Sequence, residues 1–187
     1  MDAPLGRLPG VEDEHPHWFH ALIGVMDLLQ RNWAELEKGP FASSMASRID
    51  VDRKWNPDDS HFGEVDQIFQ LTKLSSPEDE RDLLTCKMAM NALRDYAAVP
   101  YSPCGTMNRM TAVFLWPGWL PKAFLPLLYQ RRPEALVVLA HYCVLLKHVD
   151  SCWYMKGVGT SMLEEINTVL SEEWRPRIRW ALEQAAS

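Results

Sequence analysis

No stretch of this 187-residue chain offers the uninterrupted apolar length that a bilayer crossing needs, so no membrane span is expected. The greasiest run, residues 135–146, holds about twelve residues against the roughly 18 or more required. Clustered cations are also scarce. Nineteen Lys and Arg stand against 25 Asp and Glu, for a net charge of -6. No basic run is long enough to grip phosphates, which argues against direct nucleic-acid contact by this chain. Cysteine is sparse: Cys86, Cys104, Cys143 and Cys152 form no C-x-x-C pair. Neither a disulfide scaffold nor a zinc site is indicated, and reduced intracellular thiols are the plain reading. Met1 to Gly10 are rich in Pro and Gly and lack the apolar core of a secretory signal. Residues 1–14 are expected to be a disordered segment ahead of one helical domain over 15–187. Gly-rich phosphate loops, a nucleophile elbow and an H-E-x-x-H pattern are all missing, so no cofactor is implied.

What the chain does have is grease and rings: 47% hydrophobic residues, eight Trp and nine Met. That composition fits one domain with a large core. Residues 16–38 place Trp18, Leu22, Val25, Leu29, Trp33 and Leu36 on one helical stripe, stopped by Gly39-Pro40. Residues 41–60 read as a polar loop with a turn at Asn56-Pro57-Asp58-Asp59. A helix over 61–74 would turn Val65, Ile68, Phe69 and Thr72 inward. Ser76-Pro77 followed by acids signals a helix start, and this helix should run to about Ala98. Leu83, Cys86, Met90, Leu93 and Ala97 form its inner face, widened by Leu84, Met88 and Tyr96. After a loop over 99–105, residues 107–116 read as a helix, Pro117-Gly118 as a turn and 121–129 as a short helix. Residues 135–146 are apolar on every side, the mark of a central helix, over 133–148, wrapped by others. Gly157-Val158-Gly159 should break the chain before a helix over 161–170 with Met162, Ile166, Val169 and Leu170 inward. A last helix carries Trp174, Ile178, Ala181 and Leu182. No strand and no repeat is evident. The expected fold is all-α, about six to eight helices around the buried segment 133–148.

His141 sits in the middle of that segment. Its plain reading is a neutral core histidine bonded to a carbonyl or hydroxyl; the alternative is a polar anchor in an apolar ligand pocket. His15, His17 and His20 beside Glu12, Asp13 and Glu14 suggest a metal cluster, but His15 falls off the helix face and no metal site is expected. Asp50-Val51-Asp52 imitates a calcium loop, yet Lys54 occupies the next ligand position and the required Gly is missing. Asp58-Asp59 resembles the aspartate pair of terpene cyclases without a third carboxylate. Cys143 has no neighbouring cation to activate it. Gly157 and Gly159 are a helix break or a point of close approach.

Three blocks carry a resemblance. They are His15-Pro-His-Trp-Phe-His-Ala-Leu-Ile-Gly-Val25 with Trp33 and Gly39-Pro40; Thr111-Ala-Val-Phe-Leu-Trp-Pro117; and Arg132-Pro-Glu-Ala-Leu-Val-Val-Leu-Ala-His-Tyr-Cys-Val-Leu-Leu146. The last continues into Trp153-Tyr-Met-Lys-Gly157 and Trp174-Arg-Pro-Arg-Ile-Arg-Trp180. In these blocks the chain resembles the C-terminal regulatory domain of fungal zinc-cluster transcription factors, in particular the sterol uptake control group. The resemblance implies an all-helical effector domain that binds a hydrophobic, sterol-like molecule, self-associates as a homodimer and moves between cytoplasm and nucleus. The six-cysteine zinc cluster and basic linker of that family are absent from this chain. It is therefore expected to be a piece of a factor or a free-standing relative. The pocket would use Phe114, Trp116, Leu127, Tyr142, Leu145, Leu146 and Trp153 as walls, with His141 as anchor. A cyclase or pericyclase using the same pocket, and a pure interaction domain, are the competing readings.

Overall fold

The computed structural model describes residues 17–36, 38–39, 52–71, 76–103 and 109–186. Among these residues the α-helices are α1 (His17–Leu36), α2 (Asp59–Leu71), α3 (Pro77–Ala98), α4 (Arg109–Leu115), α5 (Phe124–Tyr129), α6 (Pro133–Leu146), α7 (Val158–Val169) and α8 (Arg179–Ala186). Short 3₁₀ turns occupy Arg53–Trp55, Val99–Tyr101, Trp116–Trp119, Lys147–Val149 and Arg175–Ile178. No strand occurs among the described residues, and the fold is all-α. None of these helices is long and apolar enough to cross a membrane.

Helix α6 is the axis. Every side chain from Ala135 to Cys143 is buried, as are Leu145 and Leu146. A helix apolar all round can only be stable when wrapped, and α3, α5, α7 and α8 do the wrapping. Its start is set by local chemistry. Arg131 adopts a left-handed φ of 52°, and the Arg132 N–H donates to the Leu127 carbonyl at 3.0 Å. This reverses the chain so that Pro133 can open the helix. Arg132 then reaches Asp79 at 3.1 Å, tying the start of α6 to the start of α3. That second start has an extended Ser76, whose Oγ accepts the Asp79 N–H at 3.1 Å, with Pro77 next and three acids in the first turn.

Helix α2 begins earlier than the 61–74 expected, because the preceding residues dock on α3. Arg53 donates to Asp95 at 2.6 Å and to Asn91 at 3.1 Å. Asp59 receives Arg94 through two bonds of 2.9 and 2.8 Å. Residues 52–60 are thus a 3₁₀ turn and a helix start, where the sequence suggested a loop. At the other end of the fold, the Lys147 ammonium donates to the Gln184 and Ala185 carbonyls and caps the end of α8.

Several face assignments change. On α1, Val25 and Leu28 are 48% and 62% exposed, and the helix meets the domain through Trp33, set edge-on to Trp119 at 5.3 Å. Leu84 and Met88 on α3 are exposed, so of the three widening residues only Tyr96 is buried. Val169 is likewise exposed. Gly157 stands just ahead of α7 as its cap, with a φ of 76°, but the helix starts at Val158, earlier than the 161 expected, so Gly159 lies inside it and packs against α6. Residues 1–14, His15, Cys104 and Thr72, and the side chains of His17, Trp18, His20, Leu22 and Ile68, lie outside the described residues.

Candidate functional site: an imidazole cleft beside the central helix

His141 is 1% exposed and projects from α6 between α2 and α8. Its Nδ1 lies 2.8 Å from the Val137 carbonyl oxygen. A carbonyl can only accept, so Nδ1 carries the hydrogen, and the neutral ring presents Nε2 as a lone-pair acceptor. Burial pushes the imidazole down to about 4, with His61 adding to the effect against the opposing Val137 bond. At neutral pH the ring is uncharged.

Aromatic contacts hold it there. Trp180 of α8 stacks on His141 at 5.5 Å and 18°, and on His61 of α2 at 5.1 Å and 19°. Phe62 stands edge-on to both His141 and Trp180, at 5.6 and 5.4 Å. A cleft of about 170 Å³ opens beside this cluster. Its walls are His61, Glu64 and Val65 from α2, His141 from α6, and Pro176, Arg177, Arg179, Trp180 and Glu183 from the last turn and α8. The Arg177 guanidinium lies 4.0 Å over the Trp174 ring. Its Nη1 is buried and makes no hydrogen bond to any described residue. Arg179 faces Glu183 at 3.8 Å, and the His61 Nδ1 is 3.7 Å from Glu64.

The walls proposed from sequence are distributed differently. Trp116 and Tyr142 come together, stacked at 4.4 Å and 27°, with Phe124 edge-on to Trp116 at 6.4 Å. Their polar atoms are satisfied inside the protein. Trp116 Nε1 donates to the Ala89 carbonyl at 3.2 Å, and the Tyr142 hydroxyl to the Val113 carbonyl at 3.1 Å. The helical partner of Val113 would be residue 117, a proline without an N–H, so Tyr142 supplies the missing donor. Leu127, Leu145 and Leu146 are buried in the same core, and Phe114 is half-buried. Trp153 is 87% exposed and touches Tyr154 edge-on at 5.6 Å. Leu145 also borders a niche of about 20 Å³ with Tyr101 and His148, room for about one water.

Cys86, Cys143 and Cys152 are free thiols, and burial raises the first two well above the ordinary thiol range. Among the described residues no group of three or more His, Cys, Asp or Glu side chains is placed to hold a metal ion. The residues that sequence reasoning passed over are His61, Phe62, Arg177 and Trp180. For Arg177 and Trp180 the signal was the dense Trp174–Trp180 block, where two rings bracket three arginines; nothing in the sequence marked His61 and Phe62.

The chain is similar to a Zn(2)-C6 fungal-type transcription factor of Gibberella zeae (strain ATCC MYA-4620 / CBS 123657 / FGSC 9075 / NRRL 31084 / PH-1). The two are 23% identical over 170 residues, 88% of this chain and 33% of that protein. The chain therefore spans about a third of the length of this relative. No family model matches the chain. No solved structure matches it either. The likeness is to zinc-cluster factors in general, and the sterol uptake control group is a narrower reading.

Proposed function

We propose that this chain is a helical regulatory segment of a fungal zinc-cluster-type transcription factor, or a free-standing relative of one, acting in the nucleus and cytoplasm. The observation that carries this reading is the similarity over 88% of the chain to one third of a Zn(2)-C6 factor. The all-α architecture agrees with what the resemblance implies. A regulatory role needs two states that a ligand or partner binds unequally. Self-association belongs to the same reading and is supported by the exposed Val25 and Leu28 on α1.

The sterol-like version asks more of the fold. Small-molecule sites usually offer about 300–1,000 Å³. The face of α6 that carries Tyr142 is occupied by the Trp116 and Phe124 rings, and their polar atoms are already bonded. A sterol at Phe114, Trp116, Leu127, Tyr142, Leu145 and Leu146 would have to displace that stack. The cyclase reading asks His141 or Tyr142 to act as an acid group, yet the hydrogen of each is already donated inside the protein, to the Val137 and Val113 carbonyls.

The deciding experiment fuses the chain to an unrelated DNA-binding domain and measures a reporter gene in a fungal cell. Output that differs severalfold from that of the DNA-binding domain alone is expected. Equal output at matched protein levels would argue against a regulatory role. Titration with a fluorescent sterol tests the narrower version, which needs saturable binding.

A further inference from the structure

We propose that helix α1 is a releasable latch, seated on the Trp116–Trp119 turn by the Trp33 ring, and that seated and released α1 are the two states through which this segment regulates. The seating stands on the packing alone; its output rests on the regulatory reading above.

Three observations make α1 separable. No described side chain of this helix is buried: Leu29, Trp33 and Leu36 are half-buried, and Val25 and Leu28 are exposed. Among the described elements it packs chiefly on the Trp116–Trp119 turn. Its charged groups pair locally, Arg31 with Asp27 at 2.8 Å and Lys38 with Glu35 at 3.0 Å, so lifting α1 away breaks neither pair. An element held by few buried contacts lies at the low-stability end of a fold, the end from which moving parts are drawn.

The seat is specific. A Cβ on Gly118 would stand 2.6 Å from the Trp33 Cε3 and 2.8 Å from its Cη2, and closer still to Cζ3. The indole therefore lies directly on the Gly118 backbone, in space that any other residue would fill. Trp119 completes the seat, edge-on to Trp33 at 5.3 Å.

The seat is also joined to the core. Trp116, two residues before Gly118, stacks on Tyr142 of α6 and donates to the Ala89 carbonyl of α3. A ligand or partner that shifts this stack moves the seat with it, and so biases whether α1 stays down. Release has a defined product. Leu28, Val25, Leu36, Leu29 and Trp33 follow one another round the helix as one apolar stripe. Seating covers the Trp33 edge and leaves the Leu28 edge outward. Release bares the whole stripe, and a surface that changes with state is what a two-state regulator needs.

Hydrogen exchange of the full chain, followed by mass spectrometry, tests the latch. Gly118→Leu fills the space under the indole, and Trp33→Ala removes the indole while leaving the turn as it is. In both variants the amides of residues 25–36 should exchange at least about tenfold faster, with α3 and α6 at the wild-type rate. In the reporter fusion both should shift output in the same direction, by about fivefold or more. Exchange in α1 that stays at the wild-type rate in both variants overturns the latch. Faster exchange with wild-type reporter output in both overturns the switch, even where the wild type differs from the DNA-binding domain alone. Wild-type output equal to that of the DNA-binding domain alone sinks the regulatory reading instead, and the exchange rates then still decide the latch.

Discussion

A Cβ placed on Gly159 would stand 2.6 Å from the Cys143 carbonyl oxygen and 3.1 Å from the Leu146 Cβ. Helix α7 lies against α6 at this point with only a hydrogen atom between the backbones. Neither obstacle is the far end of a flexible side chain, so any larger residue must push the two helices apart. Gly159→Ala should therefore cost about 1–3 kcal/mol, somewhat offset by the lower chain entropy of alanine when unfolded. Urea unfolding would read this as a lower midpoint at unchanged m-value.

Tyr142 and Pro117 are linked through Val113. The proline leaves the Val113 carbonyl without its helical donor, and the tyrosine hydroxyl takes over at 3.1 Å. Tyr142→Phe keeps the ring stacked on Trp116 but abandons the carbonyl in the core. A loss of about 1–3 kcal/mol is expected. Thermal denaturation shows it as a fall in Tm, and an unchanged Tm would mean that water or another group bonds Val113.

The buried imidazole makes stability depend on acid. His141 titrates at about 4 when folded and near 6.5 when unfolded. Between those values the unfolded chain binds the proton more readily, so stability is full above about pH 6.5 and falls as the pH drops toward 4. Below that both forms are protonated and the loss levels off. The integrated change is on the order of 3 kcal/mol. Comparing denaturant unfolding at pH 7.5 and 4.5 for wild type and His141→Phe isolates it, since the variant lacks this share of the slope.

Ser76→Ala removes the acceptor of the Asp79 N–H at the start of α3. A loss of about 1 kcal/mol is expected. Hydrogen exchange should quicken in the first turn of α3 while the interior of the helix stays protected.

Trp153 provides a control. At 87% exposure its removal deletes almost no buried contact. Trp153→Ala should leave stability within about 0.5 kcal/mol of wild type. A larger loss would mean that this ring has a partner outside the described residues.

The parts of the fold legible in the sequence were those decided within one or two turns of chain. Ser76 and Pro77 announce a helix start through local hydrogen bonding, and the unbroken grease of 135–146 can only be wrapped. What lies across from a given face is a tertiary matter, and there the reading thinned. Periodicity put Val25 on the inner side of α1, yet no described neighbour covers it. Trp153 follows a buried helix closely and reads as a wall of its pocket. It points outward because residues 150–157 are a turn, pinned where the Gly157 N–H donates to the Asp150 carboxylate at 3.1 Å. His141 was visible as an imidazole in apolar company. Its companions His61 and Trp180 are about 80 and 39 positions away, a juxtaposition that no spacing rule reveals.

The last helix is held at both ends, by the indole of Trp180 lying on His141 and by Lys147 gripping the final carbonyls. It acts as a cover, and covers can be cut away. A protease nick just ahead of Arg179 would wet the imidazole and restore its ordinary basicity. A ring that is inert in the intact molecule would then take up a proton in mildly acidic surroundings, in the middle of its most hydrophobic helix.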